Sequence, residues 1–277
     1  MASADVNAWV ISAIEAGHRP EQLLAQLQSA GWQEEQALDA IEQALKSRLA
    51  SIESRVTRAA AVPEPNVAGS PAAIEADGHS SVVRLMMDKP RIVVLGQLLT
   101  NDECDAVIAQ AKDRLETSRV VGDKFGENDL HPARVSDGMF FTRCETPLIE
   151  KIERRIAALL NWPVDRGEAI QVLRYGIGGK YDPHYDYFLD SQQSTVEATK
   201  VAGNRVGTLI MYLNTPTRGG GTVFPDVGLE VKAQRGDAVF FSYDRPDPAT
   251  KTLHGGMPVL EGEKWIATKW LRERRFE

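Results

Sequence analysis

The first part of the chain has the hydrophobic pattern of amphipathic helices. From residue 4 to about residue 56, apolar side chains recur at three- and four-residue spacing, and Pro20 and Gly31 divide this stretch into three segments. The apolar positions are Val6, Trp9, Val10, Ala13, Ile14, Leu23, Leu24, Leu27, Ala37, Ile41, Leu45 and Leu49. Three short helices of this kind can close a small bundle, which we predict over residues 1–56.

The hydrophobic pattern disappears over residues 57–80, which are rich in Ala, Pro, Gly and Ser. Because a segment of this composition has little apolar surface to bury, we predict a flexible linker there. Residues 81–277 return to a dense pattern of apolar positions, and we predict that they form the main domain.

Helical and strand patterns follow each other in this main domain. Residues 99–115 and 146–162 predict two helices, the first with Thr100 or Asn101 as N-cap and Glu103 in its first turn. Short apolar runs separated by Gly and Pro then predict strands in AIQVLRYG, KYDPHYDYF, RVGTLIMYLN, GTVFP, GLEVKAQ, DAVFFSY and KWIATKWLRE. The order predicts an α+β chain that is mainly β, with a sandwich or jelly-roll barrel flanked by helices.

Composition and charge exclude several classes of protein. The formal net charge of −7 argues against a general nucleic-acid-binding protein, which needs clustered Lys and Arg. Two cysteines, Cys104 and Cys144, are too few for a disulfide framework or a thiolate zinc site. We see no secretory signal and no apolar stretch near the roughly 20 residues that span a bilayer. We therefore expect a cytoplasmic protein with no membrane partner.

The run YDPHYDYF, residues 181–188, contains a candidate pair of metal ligands. His184 and Asp186 are two residues apart, so in a strand they would face the same side. A third ligand could come from His254, in the segment TLHGGMP, because its strand can neighbour the first one in a barrel. Two histidines and one carboxylate with open positions are typical of non-haem Fe(II) oxygenases. The alternative is an ordinary buried histidine in a strand.

Lys264 adds a second chemical signal. It follows His254 by ten residues and shares a strand face with Ile266, Thr268 and Trp270. A lysine that faces a barrel interior needs an anion, because an unpaired buried charge is costly. A dicarboxylate cosubstrate would supply one. The opposite orientation, with Trp265 inward and Lys264 outward, remains open at this stage.

A family resemblance joins these signals. The segments QVLRYGIGGKYDPHYDYF, NRVGTLIMYLNTPTRGGGTVFP, RGDAVFF and TLHGGMPVLEGEKWIATKW resemble the prolyl 4-hydroxylases, over about residues 88–272. These enzymes are Fe(II)- and 2-oxoglutarate-dependent dioxygenases with a double-stranded β-helix fold. The resemblance implies hydroxylation of prolyl residues at C4 in a peptide or protein, with O2 consumed and succinate and CO2 produced. It also implies ascorbate as a reductant.

The resemblance implies a role for individual residues. His184, Asp186 and His254 would bind iron, and Lys264 would bind the distal carboxylate of 2-oxoglutarate. Contacts with 2-oxoglutarate would also come from Tyr175 and Thr222. The positions that match the peptide-substrate side are Tyr181, Arg205, Trp270, Arg134, Ser136 and Gly138. Arg272 stands where many relatives carry histidine, which bears on the substrate more than on the chemistry.

Alternative functions remain open at the level of the sequence. The same chemistry could act on free proline, another amino acid or another protein side chain, and a more distant alternative is a barrel that binds a ligand without catalysis. The segment AGWQEEQALDAIEQAL resembles the loop and following helix of ubiquitin-associated modules. We expect the N-terminal bundle to serve in docking to a protein partner or in dimerisation.

Overall fold

The computed structural model describes residues 6, 9–11, 13, 19–56, 61–117, 120–121, 128–129, 135–189 and 199–276. The chain separates into two compact units, Met1–Ala59 and Ala60–Glu277. Among the described residues, no helix is both long enough and apolar enough to cross a membrane.

The N-terminal unit is helical, as predicted. Its two long helices are α1, Pro20–Ser29, and α2, Glu34–Val56, and the described residues before them are also helical. Pro20 opens α1, where the missing backbone N–H costs nothing. Gly31 lies in the connection between α1 and α2 and has a φ of +91°, a conformation that favours glycine. The buried apolar residues of this unit are Val6, Val10, Leu23, Leu27, Ala37, Ile41 and Ala44.

The second unit is built mainly from strands. The described strands are β1 Ala73–Ala76, β2 His79–Met87, β3 Arg91–Gly96, β4 Glu116–Thr117, β5 Val120–Val121, β6 Asn128–Asp129, β7 Asp137–Phe141, β8 Ile170–Tyr175, β9 Tyr181–His184, β10 Arg205–Tyr212, β11 Arg218–Gly219, β12 Thr222–Phe224, β13 Leu229–Val231, β14 Ala238–Ser242, β15 His254–Gly256, β16 Val259–Glu261 and β17 Lys264–Arg272. The described helices are α3 Asn101–Ala111 and α4 Pro147–Leu160, with short 3-10 turns at Lys112–Arg114, Val164–Arg166, Pro225–Val227 and Pro248–Thr250.

Two sheets form the double-stranded β-helix. In the described part of the chain the larger sheet has the order β1-β2-β3-β14-β10-β17-β8-β7-β4, and the smaller has the order β13-β12-β15-β9. All neighbouring strands in both sheets are antiparallel. The pairs β11–β16 and β5–β6 lie outside these two sheets. The jelly-roll prediction is confirmed.

Alternating residues of the large sheet supply two separate cores. On β14, Phe240 belongs to the cluster shared with α3 and α4, while Phe241 belongs to the cluster between the two sheets. On β17, Trp265 and Ala267 join the first cluster, whereas Ile266 joins the second. Because side chains alternate across a strand, a single run of apolar residues covers both faces of the central strands.

The helices begin where the sequence predicted. Thr100 caps α3 by accepting from the Glu103 backbone N–H, while the Glu103 carboxylate accepts from the Thr100 N–H. Arg155 of α4 binds the same carboxylate through two nitrogens, each 2.7 Å from an oxygen. Burial alone would raise the pKa of Glu103, but Arg155 and the cap lower it to about 2. This buried pair joins the two helices.

The predicted linker is wrong over its second half. Residues 73–76 form β1, which pairs with β2 through a two-residue turn at Asp77 and Gly78. Both turn residues have positive φ, +50° and +71°, as expected for Asp-Gly in a hairpin. Ile74 is buried in the helix-side core, so the second unit includes this hairpin and does not begin at residue 81. The remainder of the linker prediction includes residues 57–60, which lie outside the described residues.

Candidate active site

Two histidines come together because their strands are neighbours. β9 ends at His184 and β15 begins at His254, and these two residues are directly paired across the small sheet. Their ring centroids are 4.5 Å apart. The expectation that the strand of His254 could neighbour the YDPHYDYF segment is confirmed.

Asp186 lies beside the two histidines, but a bend in the chain places it there and not the predicted strand. The strand ends at His184, and Asp186 lies in the bend that follows it. The bend places Asp186 Oδ1 3.5 Å from His184 Nε2 and Oδ2 3.4 Å from His254 Nε2. One ligand atom from each of the three residues lies within 4.8 Å of the others. The prediction that His184 and Asp186 lie together is confirmed, but its reason, the alternation of side chains along one strand, is wrong, because Asp186 lies beyond the end of the strand.

Backbone carbonyls fix the orientation of both imidazoles. His184 Nδ1 lies 2.9 Å from the Asp182 carbonyl oxygen, and His254 Nδ1 lies 3.0 Å from that of Thr252. Because a carbonyl oxygen only accepts, each Nδ1 carries the hydrogen, and each Nε2 keeps a lone pair that can bind a metal ion. This is the arrangement that metal-binding histidines use.

The protonation states also fit metal ligands. Burial lowers the pKa of His254 to about 4, although Asp186 acts in the opposite direction. Burial alone would raise the pKa of Asp186, but His254 and His184 lower it more, to below its usual range. At neutral pH the group therefore offers a neutral imidazole and an ionised carboxylate. Among the described residues, this is the one cluster of three or more His, Cys, Asp or Glu that could hold a metal ion. Its donor set suits Fe(II).

Lys264 points into the barrel, which resolves the question of strand orientation. Its side chain is 3% exposed, and Nζ lies 5.4 Å from the centroid of the Tyr175 ring. Trp265 is buried on the opposite face, in the helix-side core. Burial lowers the pKa of Lys264 to about 8, with no carboxylate of the described residues raising it. A buried cation without a protein counter-ion fits an anionic ligand.

Two other predicted contacts lie beside Lys264. Tyr175 is its direct partner across the β8–β17 pair. Thr222 is 2% exposed and lines the same pocket, where the Tyr212 hydroxyl donates to Thr222 Oγ1 at 2.8 Å. The structure thus brings all three residues predicted for 2-oxoglutarate into the lining of a single pocket.

The pocket lies between the two sheets, opens to solvent and has a cavity volume of about 40 Å³. Its lining includes the metal cluster, Lys264 and Trp270. Two more polar groups in the lining, Gln171 Oε1 and Trp270 Nε1, are buried without a hydrogen-bond partner among the described residues. Because an unpaired buried polar group is costly, these two groups fit a ligand that offers hydrogen bonds of its own.

The residues predicted for the substrate side surround this pocket at different depths. Tyr181 is half-buried and stacks on His184, with ring centroids 3.7 Å apart. Trp270 forms part of the pocket wall, and the Arg205 guanidinium lies 4.1 Å from its ring centroid. Arg205 binds Glu168 through two nitrogens, at 2.7 and 2.8 Å. The structure therefore places Arg205 as a support for Trp270.

The remaining predicted positions lie at the edge formed by β7. Ser136 is buried and immediately precedes β7, and Gly138 is paired with Leu173 of β8. The neighbouring Val135 N–H donates to the Lys180 carbonyl at 3.1 Å, which brings this segment beside the start of β9. Arg134 lies outside the described residues.

Arg272, the departure noted in the sequence, is 2% exposed. Its Nη1 lies 3.3 Å from Glu168 Oε1, so one carboxylate serves both Arg272 and Arg205. Its guanidinium carbon lies 5.2 Å from the centroid of the Phe188 ring. The residue belongs to a group of charged side chains that it forms with Glu168 and Arg205.

Four residues at the site escaped the sequence analysis: Thr208, Tyr243, Gln171 and Glu168. Thr208 is the one hydroxyl residue in the otherwise apolar interior of β10, and it donates to Asp186 Oδ2 at 2.7 Å. A polar residue inside a buried strand is a usable signal, because it needs a partner there. The pairing of Glu168 with Arg205 depends on contacts between distant segments, so no local pattern could reveal it.

Comparisons with known proteins agree with this geometry. The family model described as the 2OG-Fe(II) oxygenase superfamily matches residues 170–272. Probable prolyl 4-hydroxylase 4 of Arabidopsis thaliana is 39% identical over 222 residues, which cover 72% of this chain and 73% of that protein. Prolyl 4-hydroxylase 1 of the same plant is 42% identical over 204 residues, covering 67% and 70%. The crystal structure of a collagen prolyl hydroxylase from Paramecium Bursaria Chlorella virus-1, in complex with 2-oxoglutarate, gives a TM-score of 0.50 at 30% identity, covering 65% of this chain and 95% of that chain.

Proposed function

Because the chain belongs to the prolyl 4-hydroxylase family of the 2-oxoglutarate- and Fe(II)-dependent oxygenases, we propose that it hydroxylates prolyl residues of a peptide or protein at C4. The observation that carries this proposal is a single pocket that contains both the triad His184, Asp186 and His254 and the unpaired cation of Lys264. A pocket that only bound a neutral ligand would not need both.

Different residues of the pocket would bind the iron and the 2-oxoglutarate. The two Nε2 atoms and the Asp186 carboxylate would hold iron, and Lys264, beside Tyr175 and Thr222, would hold the distal carboxylate of 2-oxoglutarate. When bound, the iron would use O2 to convert 2-oxoglutarate to succinate and CO2, with one oxygen atom of O2 going to succinate and the other into a substrate C–H bond. The protein orients the target carbon and limits access of water.

The open side of the pocket offers contacts for a peptide. Tyr181 stacks on His184 and thereby places an aromatic surface next to the metal cluster, suited to a pyrrolidine ring. The unpaired Trp270 Nε1–H can donate to a backbone carbonyl, and the unpaired Gln171 oxygen can accept from a backbone N–H. These features support a polypeptide substrate over free proline, which has no further peptide bonds to offer.

Succinate release tests the reaction and separates its alternatives. Purified protein with Fe(II) and 2-oxoglutarate is screened against Pro-containing peptides, free proline and other amino acids. Expected are succinate formation with peptides, one added oxygen on a prolyl residue by mass spectrometry, and 4-hydroxyproline after hydrolysis. Turnover of free amino acids alone would identify the alternative substrate class, and binding without succinate would identify the non-catalytic barrel.

Substitutions in the triad test the assignment of residues. His184→Ala, Asp186→Ala and His254→Ala are each expected to abolish succinate formation while the cooperative unfolding transition is retained. His79→Ala is a matched control, because His79 lies in the β1–β2 hairpin, where its Nε2 lies 2.6 Å from the Gln97 carbonyl oxygen. Full activity of His254→Ala, or loss of activity in His79→Ala, would contradict the assignment.

We also propose ascorbate as the reductant that keeps the iron ferrous when 2-oxoglutarate is consumed without substrate. The expected result is that ascorbate extends the number of turnovers before inactivation without changing the initial rate. An equal number of turnovers with and without ascorbate would contradict this role.

Two further expectations from the sequence stay predictions. A cytoplasmic location can be checked by fractionation of cells that produce the protein. A docking or dimerisation role of the N-terminal helices can be checked by sedimentation equilibrium of the full chain, where a monomer at all concentrations would leave docking as the remaining role.

A further inference from the structure

Two buried hydroxyl groups form a series of hydrogen bonds that ends at the carboxylate of Asp186. Thr208 Oγ1 donates to Asp186 Oδ2 at 2.7 Å, and the Tyr243 hydroxyl lies 2.9 Å from Thr208 Oγ1. Thr208 is 0% exposed and Tyr243 is 2% exposed. No water needs to take part in these contacts, because the protein itself satisfies both hydroxyl groups.

The hydrogen bonds in this chain have a fixed direction. A threonine hydroxyl has one hydrogen, and an ionised carboxylate can only accept. Thr208 therefore donates its hydrogen to Asp186 and accepts a hydrogen bond from the Tyr243 hydroxyl. The result is a one-way series from Tyr243 through Thr208 to Oδ2 of Asp186, in which each donor is fixed by the next acceptor.

The series distinguishes the two carboxylate oxygens. Oδ2 accepts the hydrogen bond of Thr208, whereas no hydroxyl or amide of the described residues is bonded to Oδ1. An octahedral metal ion held by two histidines and one carboxylate oxygen keeps three open positions, of which 2-oxoglutarate takes two as a chelate. If both carboxylate oxygens bound the metal, only two positions would remain, and the chelate would fill them.

We propose that Thr208, supported by Tyr243, is a positioning residue that holds Asp186 in a one-oxygen binding mode and thereby sets the affinity of the site for its metal. This inference rests on the proposed function in that it takes the triad to be a metal site. It assigns a role to two residues that lie outside the triad itself. Thr208 comes from β10 of the large sheet and the histidines from the small sheet, so the series also fixes the carboxylate across the gap between the sheets.

Metal affinity of the full chain tests the proposal without relying on turnover. Mn²⁺ serves as the probe, and its free concentration is read from the electron paramagnetic resonance signal of the unbound ion. Thr208→Val keeps the shape and removes the hydroxyl, and we expect its Kd for Mn²⁺ to rise about 10- to 100-fold. Thr208→Ser keeps a hydroxyl, and its Kd for Mn²⁺ is expected to stay within about 3-fold of the wild-type value, well below the change in Thr208→Val. An unchanged Kd in Thr208→Val would overturn the proposal.

Tyr243→Phe tests whether the two hydroxyl groups act in series. Removal of the Tyr243 donor should raise the Mn²⁺ Kd less than Thr208→Val does. The double variant Thr208→Val/Tyr243→Phe should bind Mn²⁺ no more weakly than Thr208→Val alone, since the series is already broken there. Additive losses would overturn the series arrangement. The double variant also leaves no tyrosine hydroxyl buried without its partner, so it keeps the test valid if Thr208→Val folds poorly.

The outcomes separate this inference from the proposed function. If the wild type binds Mn²⁺, His254→Ala does not, and Thr208→Val matches the wild type, the metal site stands and the role of Thr208 is refuted. If the wild type itself shows no Mn²⁺ binding, the metal site and the role of Thr208 fail together.

Discussion

Replacement of Lys264 by methionine is expected to make the ligand-free protein more stable and to weaken its binding of 2-oxoglutarate. The lysine is 3% exposed and has no carboxylate partner among the described residues, so in the absence of ligand its charge is a cost to the folded state. Methionine fills a similar volume with an uncharged, flexible side chain. The two effects have opposite signs, which makes this variant more informative than a simple loss of activity.

The magnitude follows from the pKa. Burial lowers the pKa of Lys264 from 10.5 to about 8, and at about 1.4 kcal/mol per pKa unit this corresponds to about 3 kcal/mol. The unfolded chain binds the proton more tightly than the folded protein, so the cost is fully present below about pH 8 and declines as the pH rises toward 10.5. At pH 7, Lys264→Met should therefore gain up to about 3 kcal/mol in the free energy of unfolding. Loss of a buried charge pair with the ligand should weaken 2-oxoglutarate binding by at least about 30-fold.

The assay combines urea unfolding of the metal-free protein with calorimetric titration of 2-oxoglutarate into Mn²⁺-loaded protein under anaerobic conditions. Lys269→Met is the matched control. Lys269 lies on the same strand but faces the helix side, where it is buried and ion-paired with Glu153. Its replacement leaves Glu153 without its ion-pair partner, although the Cys144 N–H still donates to Glu153, so we expect a loss of about 3–5 kcal/mol in stability and no change in 2-oxoglutarate affinity.

The reasoning is refuted if Lys264→Met is less stable than the wild type and binds 2-oxoglutarate equally well. That result would mean that the lysine has a structural partner and that another cation binds the cosubstrate.

Three further predictions follow from particular residues. Only the protonated form of Lys264 attracts an anion, so the Kd for 2-oxoglutarate should be constant below about pH 8 and rise up to tenfold per pH unit above it. Titration of 2-oxoglutarate between about pH 7 and 9.5 measures this profile. A constant Kd over this range would contradict the role of the lysine. The pKa of Glu103 is lowered from 4.5 to about 2, so its contacts with Arg155, Lys151 and the Thr100 N–H should together stabilise the protein by about 3 kcal/mol above pH 4.5, and this stability should be lost as the pH falls to 2; the difference in unfolding free energy between wild type and Glu103→Gln should shrink over that range. Gly78→Ala, at a φ of +71°, should cost about 1–2 kcal/mol in urea unfolding, whereas a neutral result would indicate that the hairpin adds nothing to the second unit.

The elements that the sequence predicts well are those in which one local pattern is sufficient. The two helices of the second unit have their caps at Thr100 and Thr146, next to a regular apolar stripe. The central strands β10 and β14 are mostly apolar, because both of their faces are buried. For these elements, local preference and burial agree, so the sequence alone indicates their type and approximate bounds.

The predictions that failed depend on information outside the local pattern. The segment after residue 57 has so much Ala, Pro and Gly that its few buried side chains, such as Ile74, do not stand out. The Asp77–Gly78 turn was a usable hairpin signal within it. Likewise, no sequence rule indicates that β9 stops at His184, since the residues that follow are as aromatic as those before.

The sequence does not show which face of its strand Lys264 occupies. The pairing of the other buried charges shows why this orientation is important for function. Among the described residues, each other buried Asp, Glu, Lys or Arg has an ion pair or an imidazole at ion-pair distance: Glu103 with Arg155, Glu153 with Lys269, Asp237 with Arg84, Arg272 with Glu168, and Asp186 with the two histidines. Lys264 is the exception, and it lies in the pocket that holds the metal cluster.

Lys264 and Lys269 are five residues apart on one strand, an odd spacing, so they face opposite sides of the same sheet. On the helix side the protein supplies the counter-charge itself, through Glu153, and the pair contributes to the fold. On the pocket side none of the described residues supplies a counter-charge, so the buried Lys264 cation is a cost to the folded state that an anionic ligand would remove. Because the other buried charges of the described residues are neutralised and this one is not, we infer that the ligand is an anion, and the triad in the same pocket indicates metal chemistry beside it.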